Sequence, residues 1–180
     1  MSRVLFGLKL LVFAYLARIL FFLAFSYHPA TPEYDPPVVL FMIDTINLYI
    51  HEAGHFFLKP FWMWLEILGG SLFQVLVPFA LAIVTFRETP HRVAYSGFWM
   101  GESMVNVSAY IRDAPYMKLK LIASGLIHDW NYLLGGNTAA AAFIGWTVFG
   151  VGIAVCIASL SLGIFHAVRD FRQAGNTAVE

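Results

Sequence analysis

Long apolar runs alternate with short polar breaks along almost the whole chain. Val4 to Tyr27 is the first run. His28 to Pro37 is rich in proline and carries Glu33 and Asp35, which marks a loop. Val38 to Leu58 is the second run, stopped by Lys59-Pro60. Phe61 to Glu66 holds Trp62 and Trp64, residue types that favour a membrane–water interface. Leu68 to Phe86 is expected as a third span, starting after a break at Gly69-Gly70. Val93 to Ile111 is a fourth. Leu121 to Leu134 is apolar but short, and Gly135-Gly136-Asn137 ends it. Thr138 to Phe165 contains no charge. Runs of this length, about 20 residues, match the bilayer core. The pattern predicts an all-α, polytopic membrane helix bundle with about six transmembrane helices, or five if residues 117–134 do not cross. Residues 1–180 form a single integral membrane domain, with a core at about 36–136.

Composition agrees with the pattern. The chain is 59% hydrophobic and 12% charged, against about 25% charged residues in soluble domains. Mean hydropathy is +0.71. Net charge is zero, so nothing favours nucleic acid. One cysteine, Cys156, excludes an intramolecular disulfide. Arg18 interrupts the first run, so that run reads as a retained helix and not as a cleaved signal. Basic residues predict orientation. With six crossings and a cytoplasmic N-terminus, Arg87 and Arg92 lie outside, while Arg3, Lys9, Lys59, Arg112, Lys118, Lys120, Arg169 and Arg172 lie inside. Both termini are then cytoplasmic, and a bacterial inner membrane is the expected location.

The chemistry concentrates in His51-Glu52-Ala53-Gly54-His55. Residues four apart share a helix face, so His51 and His55 can offer two imidazoles to one metal ion. Glu52 lies about 100° further round, beside such an ion, where it can act as general base for a metal-activated water. A catalytic zinc takes three protein ligands, so a third must come from elsewhere. The leading candidates are His128 and Asp129. Adjacent helical residues point about 100° apart, so one would ligate and the other would support it. The competing structural reading is a helix start at Asp129.

Other polar groups lie inside apolar runs. Glu102, Asn106 and Asp113 share an arc of the fourth span, where they can line a cavity, carry a proton or form a packing network. Asn47 is one turn before His51 and can orient its ring. Asp44 is two turns away and can hold another helix. The Gly69-Gly70 pair can hold an extended peptide by its backbone, or open a helix, with Ser71 and Gln74 following. Gly97-x-x-x-Gly101 allows close helix packing.

An H-E-x-x-H motif in a membrane helix, followed much later by an intramembrane aspartate, resembles the site-2 protease group of intramembrane zinc metalloproteases. Leu68-Gly69-Gly70 is similar to the glycine pair that follows the motif helix there. The resemblance implies zinc as cofactor, His51, His55 and Asp129 as its ligands, and Glu52 as base. It implies hydrolysis of a membrane-embedded or membrane-proximal peptide. A non-enzymatic metal-binding, transport or scaffold protein that keeps both histidines is the alternative, and a hydrolase acting on a lipid-like amphiphile is a third reading.

Overall fold

The computed structural model describes residues 2–176 except 124. It is an all-α bundle. Its helices are α1 (Arg3–Phe25), α2 (Val38–Leu58), α3 (Met63–Glu88), α4 (Val93–Asp113), α5 (Asp129–Leu134) and α6 (Thr138–Asn176), with a 3₁₀ turn at Pro90–Arg92. The expected ends of α1, α2 and α4 hold to within two residues. Each is a long, mostly apolar run, and proline or polar residues stop it.

Three elements differ from expectation. α3 starts at Met63 and runs straight through Gly69-Gly70. Glycine is tolerated there because α2 packs closely: a Cβ on Gly69 would meet the Gly54 carbonyl oxygen at 2.8 Å. Among the described residues, 121–134 form no spanning helix. The described residues from 118 to 128 are non-helical, and α5 has six residues. Gly135, at φ +59°, ends α5 as its sequence indicates. α6 continues to Asn176, 39 residues in all.

The span count falls below six. Among the described residues, three helices are long and apolar enough to cross a membrane: α1, α3 and α6. α2 and α4 have 21 residues each, but Asp44, Asn47, His51, Glu52 and His55 dilute one, and Glu102, Asn106 and Asp113 the other.

Helix directions also overturn the expected sidedness. α4 and α6 are antiparallel: Gly97 lies against Ser159 and Gly101 against Cys156, the close packing that the Gly-x-x-x-Gly spacing allows. α1 is antiparallel to α6, with Phe6 stacked on Phe171 at 4.3 Å between ring centroids. α3 is antiparallel to α4, joined by Gln74–Asn106 and Thr85–Ser96 hydrogen bonds. α2 is antiparallel to α3, with His51 beside Gln74 and His55 beside Glu66. α1, α2 and α4 therefore share one sense, and Ser26–Pro37 doubles back between α1 and α2. Lys9 Nζ donates to His91 Nε2 at 3.0 Å, and His91 Nδ1 lies 3.5 Å from Asp170. Burial, with the Lys9 ammonium beside it, holds the His91 imidazole below its ordinary pKa. The start of α1, the α3–α4 turn and the end of α6 thus lie at one end of the bundle. Arg87 and Arg92 cannot face away from Lys9 and Arg169, as the six-crossing reading required.

Candidate metal centre

α2 places His51 and His55 one turn apart on the face that meets α3. The contact is close because both helices carry glycine there. A Cβ on Gly70 would lie within 2.6 Å of both imidazoles, so the two rings lie directly against the α3 backbone. α5 brings the third group. Asp129 Oδ2 is 2.8 Å from His51 Nε2 and 3.2 Å from His55 Nε2. The three donor atoms lie within 4.8 Å of one another. Asp129 and His51 are buried and His55 is half-buried.

The outer nitrogens define the inner ones. His55 Nδ1 lies 2.8 Å from the Glu66 carbonyl oxygen, which can only accept, so Nδ1 carries a proton. His51 Nδ1 lies 3.2 Å from Gln74 Oε1 and donates to it in the same way. In the neutral rings both Nε2 atoms are then bare lone pairs aimed at a carboxylate oxygen. Such a contact is relieved by a proton on one Nε2, which makes a His–Asp ion pair, or by a metal ion held among the three donors. Two nitrogens with one carboxylate oxygen are a donor set that could hold a divalent metal such as zinc. A tetrahedral site with bonds of about 2.1 Å has edges of about 3.4 Å, and the two Asp129–imidazole separations of 2.8 and 3.2 Å lie within tenths of an ångström of that.

Glu52 stands outside this group. It is half-buried, lines the same cavity, and takes no hydrogen bond from a described residue. The cavity measures about 610 Å³. Apolar walls come from Leu48, Met63 and Ile67 and from the loop at Leu119, Leu121, Ile122 and Ile127.

Comparison with family models, with curated proteins and with solved structures finds no match. The reading of the site therefore rests on its own geometry.

The remaining sequence candidates separate into three places. His128 is not in the donor group. It is the N-cap of α5, accepting from the Asn131 N–H at 3.3 Å, while its Nε2 lies 3.4 Å from Asp113 Oδ2. Asp113 also accepts from the backbone N–H groups of Lys118 and Leu119, at 3.0 and 2.8 Å, and so anchors the cavity loop. Together with Trp130 Nε1 donating to Ser71 and Asn131 donating to the Ala114 carbonyl, these bonds dock a helix too short to hold itself in place. Asn47 does not touch His51. It donates to Glu102 at 2.8 Å and accepts from Trp99 and Ser103. Glu102, fully buried, belongs to that packing network between α2 and α4. Asp44 holds other helices, accepting from Tyr27 at 2.9 Å and from Asn106 at 2.8 Å.

Gln74 is the residue whose part at His51 the sequence did not reveal. It precedes no motif, and its partner is 23 positions away. The available signal was its spacing: Gly70 and Gln74 are four apart, on the face that α3 turns to the motif helix. Gly69-Gly70 offers no extended backbone for a peptide, since it lies within α3.

Proposed function

We propose that the chain is an intramembrane zinc metalloprotease of site-2 protease type, cutting a peptide bond in or near the bilayer. The observation that carries this reading is the convergence of His51, His55 and Asp129 on one point, with Glu52 beside it and unengaged. His51 and His55 would hold the ion by Nε2 and Asp129 by a carboxylate oxygen. When bound, zinc lowers the pKa of a coordinated water toward about 7 and polarises a carbonyl. Glu52, which lines the same cavity, would take a proton from the attacking water and return it to the leaving amine. The cavity's apolar walls suit a membrane segment, and its polar floor admits the water that hydrolysis needs.

The test is metal content together with turnover. Purified full-length protein is expected to hold close to one zinc per chain and to cut a membrane-spanning test peptide. His51→Ala/His55→Ala is expected to lose both. Equal zinc in the two preparations would remove the site.

The proposal includes a multi-pass topology with both termini cytoplasmic. The shared end carries Arg3, Lys9, Arg87, Arg92, Arg169 and Arg172, and the opposite end Lys59, Arg112, Lys118 and Lys120. The richer end faces the cytoplasm by the positive-inside rule. The metal centre, near the start of α3 and the end of α4, then opens toward the other side. In a Cys156→Ser background, Arg92→Cys and Arg172→Cys are expected to react with an impermeant thiol reagent from the same side. Labelling from opposite sides would sink the topology.

A further inference from the structure

We infer that Asp44, Asn106 and Gln74 form a one-directional hydrogen-bond chain that sets which nitrogen of His51 carries the proton. The inference rests on the reading of His51 as a metal ligand, and it makes the three side chains positioning residues. A neutral imidazole can carry its proton on either nitrogen. A metal ligand bound through Nε2 must carry it on Nδ1. His55 has that choice made by a backbone carbonyl, which cannot turn round. His51 faces an amide side chain, which can rotate by half a turn and offer an N–H instead. Something must fix the amide.

The chain supplies it. Asn106 Nδ2 donates to Asp44 Oδ1 at 2.8 Å and to the Tyr27 hydroxyl oxygen at 2.7 Å. Both amide hydrogens are therefore spent on one side. Tyr27 in turn donates to Asp44 Oδ1 at 2.9 Å, and the Tyr34 hydroxyl reaches Oδ2 at 3.4 Å. Oδ1 of Asp44, at the head of the chain, accepts from both Tyr27 and Asn106. Turning Asn106 over would set its oxygen against that carboxylate, two acceptors face to face in a buried site. Asn106 Oδ1 consequently points at Gln74, and Gln74 Nε2 donates to it at 2.8 Å. Gln74 Oε1 is left for His51 Nδ1, at 3.2 Å. Each link has one polarity, inherited from the carboxylate. Asp44, seven residues before His51 and out of reach of it, thereby decides that Nε2 is bare. The chain crosses from α2 to α4 to α3 and back to α2, so it also ties the ring's orientation to the packing of three helices.

Zinc affinity is measured on the full chain with zinc ion alone, and the tautomer by ¹⁵N NMR of histidine-labelled, zinc-free samples in an Asp129→Ala background, where no carboxylate draws the proton to Nε2. With the rest of the chain unaltered, His51 is expected there as a single Nδ1–H tautomer. Asn106→Leu touches neither His51 nor the other proposed ligands. It frees Gln74 to rotate, so His51 is expected to show both tautomers, and zinc affinity to fall about 10–100-fold. If Asn106→Leu does not fold, Gln74→Met, which fills similar space without an acceptor, is read in the same way. Adding Gln74→Glu to Asn106→Leu places an acceptor-only group directly against Nδ1 and is expected to restore the single tautomer and the affinity. A merely structural role for Asn106 would lower thermal stability and leave the tautomer unchanged, and that result overturns the inference. So does failure of the Gln74→Glu rescue in a folded protein. If the tautomers follow this pattern while the unaltered chain binds no zinc, the chain stands and the metal reading falls.

Discussion

Glu52→Gln is expected to keep its zinc and its fold and to lose peptide hydrolysis by at least about 10²–10⁴-fold, the range that general-base catalysis supplies. The expectation follows from where Glu52 stands. It lines the cavity with the three donor groups but is not one of them. It takes no hydrogen bond from the described residues, so no hydrogen bond is lost with its charge. Glutamine keeps the length and shape of the side chain. What it lacks is the ability to accept a proton and pass it on. Zinc content, thermal stability and cleavage of a membrane peptide, measured on one preparation, separate these effects. Full cleavage activity in Glu52→Gln would defeat the protease mechanism and favour a metal-binding scaffold.

Asp129 and His128 are expected to part company. Asp129→Ala removes the oxygen that both imidazoles face at 2.8 and 3.2 Å. Two histidines remain, too few for a catalytic zinc. Zinc affinity is expected to fall by more than the 10–100-fold typical of a supporting residue, and activity with it. His128→Ala leaves the three donors in place. It removes the cap of α5 and the contact with Asp113. Losing a cap costs about 0.5–2 kcal/mol, so the expected result is a lower melting temperature and a modest loss of zinc affinity. Competition with a zinc chelator ranks the two variants. The reverse order, with zinc lost in His128→Ala and held in Asp129→Ala, would transfer the ligand role to His128.

The parts of the fold that could be read from the sequence are those set by local rules. α2 is bounded by prolines and carries a clean helical period, and both ends fall where the sequence puts them. The motif within it needs only the i, i+4 geometry of a helix, which is why His51, Glu52 and His55 were evident at once. Asp129 was legible as an ionisable group in an apolar run, but the sequence left its priority over His128 open. That preference depends on the Asp113 contact, which turns His128 away, and sequence spacing does not show it. The glycine pair in α3 misled for the same reason. Local propensity reads Gly69-Gly70 as a break, whereas the tertiary contact with Gly54 makes glycine a requirement of packing. Charge counting gave the wrong side for Arg87 and Arg92 because it assumed that every apolar run returns the chain. The doubling back at Ser26–Pro37, which sends α1 and α2 the same way, leaves no mark in the distribution of lysine and arginine.

The polarity of α2 has a consequence for how the protein is made. α1, α3 and α6 are apolar enough to enter a bilayer on their own merits. α2 is not, and an aspartate at the centre of an inserting helix costs about 2.5–3.5 kcal/mol. Asp44 meets that cost through Tyr27 of the α1–α2 connection and Asn106 of α4, and His51 through Gln74 of α3. Two of those partners are synthesised after α2. In a membrane, the polar groups of the motif helix would therefore be satisfied only after α3 and α4 had followed it. Membrane integration and completion of the site would then be coupled. A chain whose polar contacts are broken is then expected to show its defect first as a low yield of membrane-assembled protein.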